Sequence, residues 1–383
     1  MTASDRFDVV VVGRGLFGSA AARHLAEAGC SVASIGPTTQ GAHGIWSSHD
    51  DEARLTRRID EDDRWAPFTA CAVDAYADIE RRSGIAFHEP VGGLTAARPG
   101  GDGKNGDPMP FLASDSSPGK LWEPGDRGWK DRWPRLEFPA THTVHFDPAP
   151  AGLIRPKRMI AAQEALTKKA GGRLIDDVVG SIAPLATGEH QITTNDGTIV
   201  DAAKVVVATG AFANTLGLLP QPADITVKTE IIILGEVSAA DADDLGSYPT
   251  VLHQIDPDRI DDIYMTPPRT FPDGRCCIKL GANTDLDTWP TDLEEMQRWF
   301  GSETDADYLP LLQPALEALW PDVGFLSVRT KPCVVTYTPD HFPLIEEVQL
   351  GVFVATAGNG AGAKGADAWG AAAAELVLNN RSA

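Results

Sequence analysis

One stretch near the start constrains the fold more than any other: "FDVVVVGRGLFGSAAARHLAEAGCSVASIG". A β-branched apolar run reads as a buried strand. Gly13, Gly15 and Gly18 follow it as G-x-G-x-x-G, and an Ala-rich helix and a second apolar strand come next, which together make one βαβ unit. The first glycine permits the tight turn, the second lets the backbone approach a pyrophosphate, and the third allows close helix–strand packing. A phosphate would then lie on the helix N-terminus, where unpaired N–H groups and the macrodipole favour anions. An acidic residue that would bind the ribose is expected at the end of the second strand, but Gly36 stands there. Thr38 or Thr39 takes over that contact, or ribose recognition is weaker than usual.

The chain has 383 residues, enough for two domains, and 43% of them are apolar without any apolar run near twenty. A soluble globular protein is expected. The opening "MTASDRFDVVVVG" has no charged n-region with a long apolar segment and cleavage site, so a cytoplasmic location is the default. The net charge of −21 argues against a nucleic-acid partner, which would need a basic face. The carboxylates are scattered in "SSHDDEA", "RIDEDD", "SAADADD" and "TDLEEM" and read as solvated surface. Five cysteines without a C-x-x-C pair give no disulfide framework and no metal site. Adjacent Cys276 and Cys277 read as strand residues, and Cys333 by itself as a small apolar core residue.

Further strands are expected in "RLIDDVVGSIAPL", in "HQITTNDGTIVDAAKVVVATG" with its Asp-Gly hairpin signal, and in "VKTEIIILGEV". Helices are expected around "WAPFTACAVDAYADIERRSG", "PKRMIAAQEALTKKAGG" and "GADAWGAAAAELVLNN". The Gly-, Pro-, Asp- and Trp-rich stretch 96–137 reads as a loop-rich excursion. The fold class is α/β with an α+β second domain. A discontinuous, Rossmann-like nucleotide-binding domain (1–95, 138–222 and 325–383) is interleaved with an antiparallel-sheet substrate domain (96–137 and 223–324). The N-terminal βαβ unit, followed much later by "VVVATGAF", favours FAD over NAD. That second stretch resembles the A-T-G segment of flavoproteins, in which Gly210 lets the chain pass close to the dinucleotide.

Four stretches, taken together, resemble the glycine oxidase/D-amino-acid oxidase flavoprotein family, most closely its monomeric sarcosine oxidase and N-methyltryptophan oxidase branch. They are "VVVVGRGLFGSAAARHLAEAG", "SSHDDEARLTRR", "CCIKLGANTD" and "CVVTYTPDHFPLI…VFVATAGNGAGAKGADAWG", in family order over nearly the whole chain. The resemblance implies that Cys333, heading a C-x-x-T-x-T-x-D stretch with Thr336, Thr338 and Asp340, is bonded through sulfur to the flavin ring. A thiolate adding to the electron-poor methyl position would tether the FAD and raise its potential. Lys279, on an apolar strand, matches the lysine that promotes reaction of reduced flavin with dioxygen, where a fixed positive charge stabilises superoxide. Within R-x-x-R, Arg54 matches the arginine near the flavin and Arg57 the one on the substrate carboxylate, for which a bidentate guanidinium pair is strong and oriented. Lys364 matches the second carboxylate-binding cation. Gly358, Gly360 and Gly362 would bring N–H groups to the flavin's carbonyl edge. Ser48, His49 and Val178 complete the implied cofactor contacts.

Three positions depart from the branch: Asn283 and Ala361 replace imidazoles, and an active-site aromatic matches Met265, next to Tyr264. The resemblance implies an FAD-dependent oxidase of a carboxylate-bearing amine, most favourably a secondary (N-substituted) amino acid. Hydride transfer gives an imine that water hydrolyses, and dioxygen leaves as hydrogen peroxide. Sarcosine itself is disfavoured by the rebuilt pocket. The alternatives are a dehydrogenase passing electrons to another acceptor and a flavoprotein subunit of a larger assembly. No nucleic acid or membrane partner is expected, and the chain should be a monomer or small homo-oligomer.

Overall fold

The computed structural model describes residues 5–48, 50–58, 60, 62–99, 119–255 and 259–380. The valine run does become a buried central strand, Asp5–Val12, flanked in parallel by Val32–Ile35 on one side and Ile199–Val207 on the other. Val9 to Val12 are at most 2% exposed, as a strand covered on both faces must be. The sheet continues to Arg173–Ile175 at one edge and to His190–Thr194 and Val179–Pro184 at the other, while Val352–Thr356 also joins Ile199–Val207 and carries Leu344–Gln349. The Asp-Gly signal lies in the turn between His190–Thr194 and Ile199–Val207, where Gly197 has φ 90°.

The three expected helices are Ala66–Ser83, Pro156–Lys169 and Ala366–Asn379. Helix Leu16–Glu27 packs on the last of them through small residues. A Cβ at Gly370 would lie 2.4 Å from Ala20 Cβ, so the two backbones touch. No helix among the described residues is long and apolar enough to cross a membrane.

A second eight-stranded sheet runs in the order Ser327–Tyr337, Thr226–Glu236, Cys276–Thr284, Ile260–Thr270, Thr250–Gln254, Gly93–Ala97, Thr143–Asp147, Lys120–Trp122. The segments 138–222 and 325–383 were expected with the nucleotide-binding sheet, yet Thr143–Asp147 and Ser327–Tyr337 pair in the second one. The eleven-residue strand bearing Cys333 pairs along its whole length with Thr226–Glu236, which no edge of the first sheet offers. One face of this sheet, with Ile231, Ile233, Ile263, Met265, Ile278 and Leu280, forms the largest core. Alternation turns Glu230, Ile232, Tyr264 and Lys279 to the other face.

Two expectations change here. Apart from strand Lys120–Trp122, the end of Gly93–Ala97 and one short helical turn, the described part of 96–137 is irregular, but its Trp122, Trp129 and Trp133 are core residues, at most 6% exposed. Helices Leu293–Phe300 and Asp305–Leu319 were not expected; Pro310 and Pro314 inside the second read as breakers in sequence.

Candidate functional site

The glycine turn is built by close approach. Gly13 has φ +106°, and a Cβ there would lie 2.3 Å from the Ala208 carbonyl oxygen; a Cβ on Gly18 would lie 1.9 Å from Gly13 O. Gly15 begins helix Leu16–Glu27 with no capping side chain and no acidic residue in the first turn, so the helix N–H groups face the cavity beside it. Gly36 is glycine for a related reason: its Cβ would meet Arg14 N at 2.8 Å. Arg14 closes over this point, donating to Gly36 O at 3.2 Å and to Glu164 at 2.7 Å. Thr38 is engaged by Asp176 through both its N–H and its hydroxyl, and Thr39 lines the cavity instead.

The cavity, about 340 Å³, extends from this turn past Ser48, Val178 and Gly210 to Gly358, Gly360 and Gly362. Gly360 has φ +73°, and a Cβ on Gly362 would lie 2.7 Å from Gly358 Cα. The threonines after Cys333 hold this loop. Asn359 N donates to Thr336 O at 2.9 Å, and Asn359 Oδ1 accepts from Thr338 N at 2.9 Å. His49 lies outside the described residues.

At the second sheet the cavity meets a buried ion cluster. Lys279, 0% exposed, donates to Asp51 Oδ2 and to Ala53 O at 2.8 Å, and its ammonium lies 5.1 Å from the Tyr264 ring centroid. Arg54 Nε reaches the same Asp51 oxygen at 3.0 Å, while Arg54 Nη2 donates to Ser48 O and lies 3.8 Å from Cys333 Sγ. Burial opposes the charge on Asp51, but Lys279 and Arg54 outweigh it and hold the carboxyl at about 2. Burial pushes Lys279 down to about 8, with Asp51 resisting and Arg54 adding to the fall. One carboxylate therefore serves two cations, and the lysine is the one that can yield. Burial raises the Cys333 thiol, against the pull of Arg54. Val334, Val335 and Thr336 line the cavity beside it.

Arg57 and Lys364 both line the cavity. Lys364 is paired with Asp60, and its ammonium is 5.6 Å from the Trp65 ring centroid. Burial raises the Asp60 carboxyl, but Lys364 and Arg57 together bring it below its ordinary value. Short antiparallel pairing of Arg54–Thr56 with Gly152–Ile154 sets the backbone of this arginine segment.

Several acidic residues read as solvated surface are thus counter-ions. Asp51 and Glu52 are 2% and 7% exposed, Asp60 holds Lys364, and Asp50 pairs with Lys331 and Lys157. Sequence reading placed them outside because runs of charge say nothing about which sheet covers them. Met265 is likewise corrected: it points into the large core, and Tyr264 lines the cavity. Strand alternation from Lys279 and the pairing Tyr264↔Gly281 would have found that face. Asn283 accepts from Lys228 at 2.8 Å, which pairs with Asp287, and Ala361 lines the cavity.

The residues present fit a dinucleotide: a turn with no room for a Cβ, an uncapped helix terminus and two further glycine approaches along one cavity. Comparison with known proteins agrees. A monomeric sarcosine oxidase of Bacillus sp. (strain NS-129) is 23% identical over 396 residues, covering 99% of this chain and 95% of the relative. One of Streptomyces avermitilis is 29% identical over 222 residues, 56% of this chain and 54% of the relative. Among solved structures, NikD, an unusual amino acid oxidase essential for nikkomycin biosynthesis, matches with TM-score 0.79 at 19% identity, covering 99% of this chain and 96% of that one. Glycine oxidase from Geobacillus kaustophilus matches with TM-score 0.72 at 21% identity, over 99% and 96%. Since the model of the FAD dependent oxidoreductase family matches residues 8–376, this chain belongs to that family.

Proposed function

We propose that this chain is an FAD-dependent oxidase of an amino acid, most favourably one with a secondary (N-substituted) amine. The observation that carries the reading is that Arg57 and Lys364 line the same cavity as the phosphate turn. Bound FAD supplies the acceptor for a hydride from the carbon next to nitrogen and the path by which dioxygen becomes hydrogen peroxide. Arg57 offers the substrate carboxylate a fork of donors, and Asp60 keeps the Lys364 ammonium in place beside it. With the carboxylate fixed, orientation supplies much of the acceleration. The imine leaves and is hydrolysed by water.

Gly13, Gly15 and Gly18 would take the pyrophosphate and Gly210 the dinucleotide's flank. Ser48, Val178, Arg54 and the loop Gly358–Gly362, which line the same cavity, would hold the flavin. The first sheet thus forms the cofactor domain and the second the substrate domain. Cys333 would hold the flavin through sulfur, giving up its thiol proton, with dioxygen taking the two electrons that the addition leaves on the ring; Arg54 beside Sγ favours the thiolate against burial. Lys279 supplies the positive charge for dioxygen reduction. The relatives named as sarcosine oxidases and the structural likeness to an amino acid oxidase and a glycine oxidase support the substrate class. The enzyme works in the cytoplasm as a monomer or small homo-oligomer.

One observation favours a second reading. Asp51 offsets the charge of Lys279, which weakens its pull on superoxide and suits a dehydrogenase that passes electrons to another acceptor. A peroxide-coupled screen of N-alkyl, D- and L-amino acids tests both. Peroxide formed in step with oxygen uptake supports the oxidase. Substrate-dependent flavin reduction without oxygen uptake supports the dehydrogenase, and no reduction by any carboxylate-bearing amine removes both.

A further inference from the structure

Three neighbouring strands of the second sheet carry an arrangement that the reading so far leaves unused. Across Thr226–Glu236, Cys276–Thr284 and Ile260–Thr270 the register places Ile232 opposite Gly281 and Gly281 opposite Tyr264. Gly281 leaves a gap in the middle strand, and the Tyr264 ring lies across it. A Cβ at 281 would be 2.2 Å from Tyr264 Cζ and 2.3 Å from its Oη. The phenol thereby reaches the third strand, where its hydroxyl donates to Glu230 Oε1 at 2.7 Å.

Glu230 is 5% exposed, and this is the one described hydrogen bond to its side chain. An ionised carboxylate only accepts, so the phenol proton is committed to it. Burial and the Glu230 charge hold the Tyr264 hydroxyl well above its ordinary value, and Arg54 only partly offsets them; the proton stays on. Arg54, Cys333 and Tyr337 also lie within the electrostatic reach of Glu230. Tyr264 lines the cavity. Its oxygen has one proton, already used, so lone pairs are what it can offer a ligand there.

We propose that Tyr264 accepts a hydrogen bond from an N–H of the amine substrate, and that Glu230 and Gly281 position it to do so. This rests on the amine-oxidising reading above. The chemistry follows from the inventory of a neutral secondary amine, which has one N–H and one lone pair. Giving the N–H to Tyr264 orients the nitrogen and leaves its lone pair free to form the C=N bond as the hydride departs from the adjacent carbon. Amines without an N–H lose this contact, so the site selects primary and secondary amines over tertiary ones.

The test is an anaerobic titration of holoenzyme, read from flavin absorbance, with N-methylglycine, methoxyacetate, N-methylpropylamine and methyl propyl ether. Each pair is isosteric and, once the bound amine has given up its ammonium proton, differs in the N–H. The parent should prefer amine to ether about 10-fold or more, the range of a hydrogen bond involving a charged or fully desolvated partner. Y264F, E230A and G281A should bring the ratio to within about 2-fold of unity, while E230Q, which keeps an acceptor for the phenol proton, retains most of the preference. A purely structural role would weaken both members of a pair together and leave the ratio alone. An unchanged ratio in Y264F overturns the proposal, and so does a parent with no preference in either pair. If N-methylpropylamine binds as well as N-methylglycine, the carboxylate reading fails, and the amine-to-ether ratio still decides this one.

Discussion

Replacing Asp51 with Asn asks whether one carboxylate holds two buried cations. The amide keeps the shape and can still accept from Lys279, but the negative charge between Lys279 and Arg54 is gone. Asp51 sits at about 2 against an ordinary 3.8, which at 1.36 kcal/mol per tenfold corresponds to about 2.4 kcal/mol. The sign is that of a depressed acid: this stability is present above 3.8 and disappears as pH falls from there towards 2. Arg54 cannot escape by losing its proton. Lys279 can: from about 8, shedding its proton at pH 7 costs about 1.4 kcal/mol, less than the roughly 3–5 kcal/mol of a buried charge stranded without its partner. Asp51→Asn should therefore cost about 2–4 kcal/mol at pH 7, measured by urea unfolding of the holoenzyme. The deficit should shrink by about 1.4 kcal/mol by about pH 9.5, because the parent's Lys279 has by then lost its own proton. D51N/K279M, with no ammonium to strand, should recover at least half of the loss. A deficit under about 0.5 kcal/mol at pH 7, or one that neither pH nor the second substitution relieves, refutes the shared-counter-ion argument.

Other outcomes follow from the same geometry. Reoxidation of reduced enzyme by dioxygen should slow as pH rises through about 8, where Lys279 becomes neutral, and K279M should be slow at every pH; stopped-flow mixing with oxygenated buffer checks this. Acid-precipitated protein should stay yellow and give a flavin-bearing peptide containing Cys333 on digestion, whereas flavin released wholly into the supernatant would return Cys333 to a core role. Arg57→Ala should raise the substrate concentration needed for anaerobic flavin reduction about 10- to 150-fold, the loss of a charge-assisted hydrogen bond, and should leave amines lacking a carboxylate unaffected. Gly18→Ala should purify with little FAD, judged by the ratio of flavin to protein absorbance, because its Cβ would sit 1.9 Å from Gly13 O.

The parts of the site legible in sequence are those whose chemistry is local. The glycine turn, Gly210 and the loop ending at Lys364 each declare themselves within a few residues, because the backbone conformation they need restricts the side chain there. The counter-ions do not. Asp51 looks like any surface carboxylate in "SSHDDEA" until the strand Cys276–Thr284, more than two hundred residues later, lays Lys279 over it. Glu230 is hidden for the same reason, since its meaning depends on a phenol two strands away crossing a glycine. In the fold, helix Asp305–Leu319 was obscured by Pro310 and Pro314, and its existence follows from burying Tyr308, Leu312, Leu316 and Leu319 against the second sheet.

The close contact between Ala20 and Gly370 also sets a timetable. The helix that follows the glycine turn leaves the ribosome about 350 residues before the helix it rests on. At roughly 5–20 residues per second, the turn must wait on the order of 17–70 s for its support. Its central valine strand waits for about 190 residues for its parallel neighbour Ile199–Val207, and that strand for about 150 more for Val352–Thr356. Capture of FAD therefore waits until both helices have been made. Until then, the valine strand presents an apolar, unpaired edge rather than a nucleotide-binding module.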